Sequence, residues 1–171
     1  MGDYPKVIDN FLSDEGLATV SFIQTNRFPW FLNDSMDFIG DGINQFNHIF
    51  YHESTIQSAN FIPYMMPIVR KLDVFSLIHM KANLSTIVPE EKRWGQYHID
   101  NNDMRKELVD KVLTAVFYFN DNNGGTQFEE TGDIVEAKRN RIVIFRNSMK
   151  HRIVRHTEGD YQRIVLNLSF I

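Results

Sequence analysis

The spacing of apolar residues changes along the chain, from a helical period near the beginning to alternation further on. After Ser13, a good helix-capping residue, apolar side chains recur with helical spacing, which predicts a helix over residues 14–25. A second helical stripe covers residues 54–71, in which Pro63 and Pro67 predict a kink or two shorter helices. The predicted helices therefore lie in the N-terminal part of the chain.

Strands and turns dominate from residue 74 onward. The predicted strands cover residues 46–51, 74–84, 111–120, 126–129, 133–136, 141–145, 151–156 and 162–170. Residues 121–125 form a tight turn, because Asp, Asn and Gly tolerate a positive φ angle. Helices followed by about eight short strands predict a mainly β, α+β fold. The expected architecture is a double-stranded β-helix, or jelly roll, with the N-terminal helices packed on one side.

The composition is that of one globular domain, and it narrows the available chemistry. The 171 residues predict a single domain, with a helical support region over residues 1–75 and a jelly-roll core over residues 76–171. The chain has no cysteine, which excludes disulfides, thiolate metal sites and cysteine nucleophiles. A metal ion would have to be bound by His, Asp, Glu or backbone oxygens.

Charge and hydropathy limit the partners. A net charge of −4 argues against nucleic acid as the main partner. No apolar run reaches the ~18 residues needed to cross a bilayer, so no membrane partner is expected. The N-terminus lacks a basic segment followed by an apolar one, and we therefore expect a cytoplasmic protein. The sequence leaves the oligomeric state open.

Two histidines and one aspartate are candidate metal ligands. His98 and Asp100 stand two residues apart at the end of an extended run, so both side chains can point to the same face of a strand. They make up two thirds of the 2-His-1-carboxylate triad of non-haem Fe(II) sites. His151 begins a predicted strand and is the preferred third ligand. His156, five residues later, falls on the opposite face and is expected at the surface.

The last predicted strand separates an apolar face from a face that begins with Arg163. An arginine inside a barrel is costly unless an anion pairs with it, and a guanidinium can hold a carboxylate through two hydrogen bonds. Alternatively, the strand has the opposite register and Arg163 is solvated. Tyr118 could donate a phenol hydrogen bond to the same carboxylate, or it could be a core tyrosine with its hydroxyl at the rim.

With these residues placed, the C-terminal half of the chain resembles the Fe(II)- and 2-oxoglutarate-dependent dioxygenases, most nearly their prolyl 4-hydroxylase-like branch. The resemblance covers about residues 80–171 and follows that family's order of His-x-Asp, Gly-Gly-x-x-Phe, His and Arg. The matching segments are residues 98–101, 115–120, 124–128, 141–145, 151–154 and 163–166. The compact size and residues 81–84 are also similar to oxygenases encoded by marine bacteriophages, for which the location would be the host cytoplasm.

The resemblance implies a role for each candidate residue. His98, Asp100 and His151 would bind Fe(II), which 2-oxoglutarate would chelate. Arg163 would pair with the 5-carboxylate of 2-oxoglutarate, with Tyr118 assisting. The implied reaction is O2-dependent hydroxylation of a C–H bond in a peptidyl, amino-acid or small-molecule substrate, with release of succinate and CO2. Ascorbate is a possible further cofactor.

Two positions depart from the family pattern. The chain has no tyrosine at the usual distance before His98, and Asn83 would replace that cosubstrate contact. The interval from His151 to Arg163 is long for this branch, which leaves Arg155 as a rival anchor. Arg155 shares a face with His151, but a strand would carry it about 13 Å away at ~3.3 Å per residue.

Two other functions fit the same jelly roll. A non-catalytic module would bind a sugar, peptide or other ligand without turnover, although such a module would have no reason to keep Asp100. A cupin-like metal enzyme that does not use 2-oxoglutarate would not require Arg163. The substrate itself is not indicated by the sequence.

Overall fold

Two antiparallel β-sheets face each other in the structure, a computed structural model that describes residues 4–34, 36, 41–100, 109 and 111–171. The strands are β1 Lys6–Ile8, β2 Phe31–Asn33, β3 Gln45–His52, β4 Thr55–Ile56, β5 Leu77–Thr86, β6 Leu113–Tyr118, β7 Gly125–Phe128, β8 Ile134–Glu136, β9 Arg141–Arg146, β10 His151–Val154 and β11 Gln162–Phe170. Within the described residues, the α-helices are α1 Asp14–Val20 and α2 Met66–Lys71.

The large sheet has eight strands and the small sheet has three. The large sheet runs in the order β1-β9-β6-β11-β5-β3-β2, with β4 paired to β3. The small sheet runs in the order β10-β7-β8. Strands β1–β4 lie within the predicted helical support region, so that part of the chain supplies strands as well as helices.

The first helix begins where the sequence predicts. The Ser13 hydroxyl accepts a hydrogen bond from the Gly16 amide at 3.3 Å and so caps α1. The α-helix ends earlier than expected, at Val20, and continues as a 3-10 helix over Ser21–Gln24. The predicted helix over residues 14–25 is therefore two connected helical pieces.

The second helical segment starts later than predicted. Glu53 and Ser54 have positive φ angles of 48° and 60° and form a tight turn between β3 and β4. Ser54 therefore cannot begin a helix. The helical part is a π-helical turn over Phe61–Met65 followed by α2, with Pro67 in the first turn of α2, where a missing amide hydrogen is tolerated.

The two faces of the large sheet have different neighbours. One face packs against α1, α2 and the adjoining helical turns and forms the larger apolar core, which includes Leu17, Val20, Ile68, Met80, Ala82, Leu84, Phe117, Ile164, Leu166 and Leu168. The other face looks toward the small sheet, with a smaller core that includes Val116, Phe128, Phe145 and Val165. No helix in the described part of the chain is long and apolar enough to cross a membrane.

Candidate metal centre and cosubstrate pocket

The structure brings His98, Asp100 and His151 together between the two sheets. Their potential ligand atoms all lie within 4.8 Å of one another. One carboxylate oxygen of Asp100 is 3.5 Å from His98 Nε2, and the other is 3.7 Å from His151 Nε2. Donors bound at ~2.1 Å to one ion in neighbouring positions would be about 3 Å apart, so this spacing suits a shared metal ion.

Backbone contacts hold the two histidines side by side. The His98 amide donates to the His151 carbonyl at 2.9 Å, and the His151 amide donates to the His98 carbonyl at 3.0 Å. This pair of bonds joins the segment before Asp100 to the start of β10. Two candidate ligands that are 53 positions apart in the sequence are thereby fixed as cross-strand neighbours.

Asn147 positions the aspartate, a role that the sequence analysis missed. Its side-chain amide donates to the Asp100 carbonyl at 2.6 Å, and its own oxygen accepts a hydrogen bond from the Thr114 hydroxyl at 3.2 Å. Asn147 and Thr114 are both fully buried. The only sequence signal was a polar residue in the bend between β9 and β10, which does not distinguish a buried amide from a solvated one.

The histidine rings are oriented so that Nε2 faces the carboxylate. Nδ1 of His98 donates to the Gln96 carbonyl at 3.1 Å, and Nδ1 of His151 donates to the Met149 carbonyl at 3.0 Å. Because a carbonyl can only accept, the proton is on Nδ1 and the Nε2 lone pair is available. Burial lowers the pKa of His151, which favours the neutral, metal-binding imidazole.

Asp100 is ionised despite its burial. Loss of hydration opposes ionisation, but the nearby Lys81 ammonium and the two histidines, which donate to the carboxylate when they are protonated, outweigh it and lower the pKa of Asp100. Two neutral imidazoles and one carboxylate are the donor set of non-haem Fe(II) centres, which keep further positions open. The residues present therefore fit an Fe(II) ion.

A polar pocket of about 170 Å³ lies beside this cluster. Arg163 lines it and is only 3% exposed. Its Nη2 donates to the Gly125 carbonyl at 3.3 Å, while its Nε has no hydrogen-bond partner among the described residues. Burial lowers the pKa of Arg163, because the guanidinium has lost its hydration. Arg163 thus lies inside the barrel rather than in solvent, which decides between the two registers of the last strand.

More polar atoms along the same wall lack partners. The side-chain oxygens of Asn83, Ser85 and Asn167 are buried without a hydrogen bond to any described residue. Ser85 lies opposite Arg163 across β5 and β11, and Asn83 is two cross-strand pairs further along, on the same face of the sheet. Buried polar groups are rarely left unsatisfied in folded proteins, and such a cluster indicates a ligand site.

The glycine pair at residues 124–125 lets the strands of the small sheet approach one another closely. A Cβ atom on Gly124 would lie 2.7 Å from the Val154 carbonyl oxygen, and one on Gly125 would overlap the Val135 carbonyl oxygen. Any larger residue would push the sheet apart at the carbonyl that Arg163 contacts.

Comparison with models of protein families identifies the family to which the chain belongs. The family model of the 2OG-Fe(II) oxygenase superfamily matches residues 87–170, which contain the three candidate ligands and Arg163. The chain belongs to this superfamily. No curated protein sequence gives a significant match. Fe(II) and 2-oxoglutarate are the cofactors of the superfamily, as the resemblance implied.

Solved oxygenases share the fold. The viral collagen prolyl hydroxylase of Paramecium Bursaria Chlorella virus-1, in its 2-oxoglutarate complex, is 15% identical and has a TM-score of 0.60, with 98% of this chain and 96% of that chain covered. A Trichoplax adhaerens prolyl hydroxylase in complex with a hypoxia inducible factor peptide fragment is 13% identical with a TM-score of 0.62, covering 97% and 82%.

A third relative is an epimerase. SnoN from nogalamycin biosynthesis, in complex with Fe3+, alpha ketoglutarate and nogalamycin RO, is 11% identical with a TM-score of 0.62, covering 96% of this chain and 77% of that one. At sequence identities of 11–15%, these structural similarities establish the fold alone. They confirm the predicted jelly roll and its likeness to the prolyl hydroxylases.

In this oxygenase, Tyr118 lies next to Arg163, but its hydroxyl is directed elsewhere. Tyr118 is fully buried, and its ring lies 5.8 Å from the Arg163 guanidinium carbon. Its hydroxyl is 2.7 Å from the Thr126 hydroxyl and 3.4 Å from the Val135 carbonyl oxygen that accepts its proton. Thr126, which the sequence analysis did not identify, lines the pocket in the place expected for Tyr118.

Arg155, the rival anchor, has other partners. It is 1% exposed and donates to the Lys92 carbonyl at 2.7 Å and to the Met36 sulfur at 3.2 Å. It is not among the described residues that line the pocket. The geometry therefore favours Arg163 as the cosubstrate anchor.

The expectation that His156 lies at the surface is wrong. His156 is fully buried, and its Nε2 is 3.3 Å from the Tyr161 carbonyl oxygen. Strand β10 ends at Val154, so the alternation of faces used to place His156 does not extend to it. Burial also lowers the pKa of His156.

Proposed function

We propose that this oxygenase hydroxylates a C–H bond of a peptidyl, amino-acid or small-molecule substrate, with release of succinate and CO2. One observation carries the proposal: the His98–Asp100–His151 cluster and a buried arginine with an unpartnered nitrogen line the same pocket. We further propose that residues 1–171 form a single oxygenase domain, with the catalytic core over residues 76–171.

The metal ligands proposed are His98, Asp100 and His151. Bound Fe(II), together with 2-oxoglutarate and O2, supplies the oxidising chemistry of this superfamily. The protein orients the donors: the backbone bridge between the histidines and the bond from Asn147 to Asp100 keep three side chains directed at one point. Such fixed geometry avoids reorganisation when the metal binds.

Arg163 is the proposed anchor for the 5-carboxylate of 2-oxoglutarate. A carboxylate would satisfy the unpartnered Nε and offset the loss of hydration that lowers the pKa of Arg163. The side chain of Asn83 can turn its amide toward the same ligand, since its oxygen has no partner among the described residues. Thr126 adds a hydroxyl to this wall, and the proposed contact of Tyr118 would require its hydroxyl to leave Thr126.

Apolar side chains complete the pocket and limit access of water. Val116, Val165 and Ile153 line it together with the polar groups. Displacing water strengthens the pairing between the guanidinium and a carboxylate, because the local dielectric is low.

Turnover of 2-oxoglutarate tests this function. Purified protein with Fe(II), ascorbate and labelled 2-oxoglutarate is expected to release succinate slowly even without a primary substrate. Asp100→Ala should abolish the release, whereas Asp133→Ala, in the exposed turn before β8, should not change it. Absence of succinate release, together with absence of a visible absorption band on anaerobic addition of 2-oxoglutarate to the Fe(II) protein, would refute the proposal.

A further inference from the structure

Three cationic side chains line the pocket in the described part of the chain: Lys81, Arg152 and Arg163. Arg163 is assigned above to the cosubstrate. Arg152 is engaged within the protein, because its Nε donates to Gln127 at 2.8 Å and its guanidinium stacks on Trp94 and Tyr97 at 4.6 and 4.3 Å. Lys81 is the third of these cations, and neither the cosubstrate nor a contact with another described residue accounts for it.

Lys81 points into the pocket because of its place in β5. Its neighbours Met80 and Ala82 are fully buried in the helix-side core, so the alternation of β5 directs Lys81 to the opposite face. Its cross-strand neighbours are Asn167 on β11 and Ile49 on β3, and neither is anionic. The Lys81 ammonium has no hydrogen bond or ion pair with any residue that the structure describes.

Lys81 is half-buried, and its ammonium has no partner among the described residues to replace the water that it has lost. Burial lowers the pKa of Lys81, which shows that the ammonium has lost part of its hydration. Asp100 opposes that shift, so the ammonium lies within electrostatic range of the metal ligand without forming a contact ion pair with it. The oxygen of Asn167, opposite Lys81, is also unpartnered. A polar ligand would satisfy both residues at once.

The position of Lys81 along the sheet separates it from the cosubstrate anchor. Lys81 pairs with Asn167, four residues from Arg163 on β11, which corresponds to about 13 Å along the strand. The wall of the pocket therefore has two cationic positions, one at each end, with Asn83 between them. A cosubstrate bound at Arg163 uses one of them.

We propose that Lys81 binds a carboxylate of the primary substrate and holds it beside the metal centre. This inference rests on the proposed oxygenase function and narrows the substrate class to carboxylate-bearing molecules. The carboxylate belongs either to a free acid, such as an amino acid, or to an acidic side chain of a peptide. Lys81 acts as a point charge with three donors for the carboxylate, and the unpartnered oxygen of Asn167 would accept a hydrogen bond from a donor group elsewhere on the same substrate.

Matched pairs of acids and amides test the proposal. The probes are the free amino acids with their carboxamides, and short peptides that contain Asp or Glu with their Asn or Gln counterparts. The first measurement is stimulation of succinate release from labelled 2-oxoglutarate. The second is the rise in thermal midpoint of the anaerobic Fe(II)–2-oxoglutarate protein, which requires no turnover.

We expect at least one acid to stimulate succinate release at least tenfold more strongly than its amide. The same acid should raise the thermal midpoint more than its amide does at equal concentration. Lys81→Met should lose this preference, Lys81→Arg should retain it, and Lys71→Met, an exposed lysine on α2, should behave as the unmodified protein. The peptide and amino-acid arms identify which source carries the carboxylate. Retention of the preference by Lys81→Met, or no preference for any acid, would overturn the proposal.

Two further outcomes separate this inference from its premise. If Lys81→Met instead raised the KM for 2-oxoglutarate tenfold, Lys81 would belong to the cosubstrate site and the proposal would fail. If acids raised the thermal midpoint in a Lys81-dependent manner but no succinate were released, the oxygenase function would fail while the carboxylate site would stand.

Discussion

The two faces of strands β5 and β11 have opposite chemistry on the same backbone. On the helix side, the cross-strand pairs are Met80 with Leu168, Ala82 with Leu166 and Leu84 with Ile164. On the pocket side, the pairs are His79 with Ser169, Lys81 with Asn167, Asn83 with Val165 and Ser85 with Arg163. Every residue of the helix-side set belongs to the larger apolar core, whereas several pocket-side polar atoms lack partners among the described residues.

The difference indicates that the helix-side face mainly stabilises the fold, whereas the pocket-side face is available for binding. Burial of the apolar face stabilises the fold, at ~25 cal/mol per Å² of apolar surface. Unpartnered polar groups on the other face stabilise nothing in the free protein, and we propose that they serve to bind a ligand. Substitutions on the first face should therefore change the free energy of unfolding, and those on the second face should change ligand affinity or turnover.

The largest effect is expected at the metal centre, which the pocket face adjoins. His98→Ala should lower succinate release on the order of 10³-fold, about 4 kcal/mol in activation free energy, because one proposed metal ligand is lost. The His98 side chain is 52% exposed, so the free energy of unfolding of the metal-free protein should change by less than about 0.5 kcal/mol.

His52 provides a matched control for that variant. Its side chain is 50% exposed, and it lies outside the metal cluster. His52→Ala should retain succinate release. A similar loss of activity in both variants would show that the assay reports general damage rather than loss of a ligand.

A helix-side substitution should have the next largest effect, and on stability alone. Leu166→Ala removes a fully buried side chain of the larger core and should lower the free energy of unfolding by about 3 kcal/mol, measured by urea denaturation. Turnover per folded molecule should stay within about twofold. The adjacent Asn167→Ala, on the pocket face, should change the unfolding free energy by less than about 0.5 kcal/mol. Equal destabilisation by both variants would contradict the division between the faces.

The sequence was sufficient for the alternation of these strands but not for its meaning. Apolar residues at 164, 166, 168 and 170 predicted one apolar face, whereas Arg163 on the other face fitted either a buried cation paired with an anion or a solvated one. Whether that face met solvent or a pocket depended on the small sheet, which pairs segments far apart in the chain. The sequence also could not show whether Lys81 faced solvent or a pocket, because a polar residue on a strand fits both environments.

Errors in the sequence analysis arose where local pattern was weak or contacts were distant. Strand β2 has three residues, too few for a detectable alternation, and it is absent from the predicted strands. Asn147 and Thr126 acquire their roles only through partners on other strands. His98, Asp100 and His151 could be selected as candidate ligands because a two-residue spacing and a strand start are local features, and the structure brings the three side chains together.

Substitution of Arg163 or Arg155, which are both buried, should have smaller effects and tests which of the two contacts the cosubstrate. Arg163→Met should raise the KM for 2-oxoglutarate about 30-fold, equivalent to about 2 kcal/mol, since a charge-assisted hydrogen bond is lost. The unliganded protein should be no less stable, because the variant removes a buried cation that lacks a full set of partners. A lower unfolding free energy with an unchanged KM would assign Arg163 a structural role.

Arg155→Met is the matched variant for that experiment. Arg155 is equally buried, but it donates to the Lys92 carbonyl and to Met36. Its replacement should lower the unfolding free energy by about 2 kcal/mol and leave the KM for 2-oxoglutarate unchanged, because an oxygen inside the protein loses its donor. The opposite pattern would make Arg155 the cosubstrate anchor.

The smallest expected effect is on the pH dependence of stability, which also distinguishes the two faces of the sheet. His79 is on the pocket face of β5, and burial, Lys81 and His52 lower its pKa to about 4, against a weaker opposing effect of Asp100. The unfolded chain has a histidine pKa of ~6.5, so it binds more protons than the folded protein between pH 4 and 6.5, and stability must fall as the pH is lowered through that window. His79→Gln should remove up to about 1 kcal/mol of this pH dependence in metal-free protein, after allowance for solvent screening. Urea denaturation at pH 7.5 and at pH 5 measures the difference, and an identical pH dependence in the variant would show that His79 does not carry it. Because no helix-side residue named above titrates, the acid sensitivity that His79 contributes belongs to the pocket face.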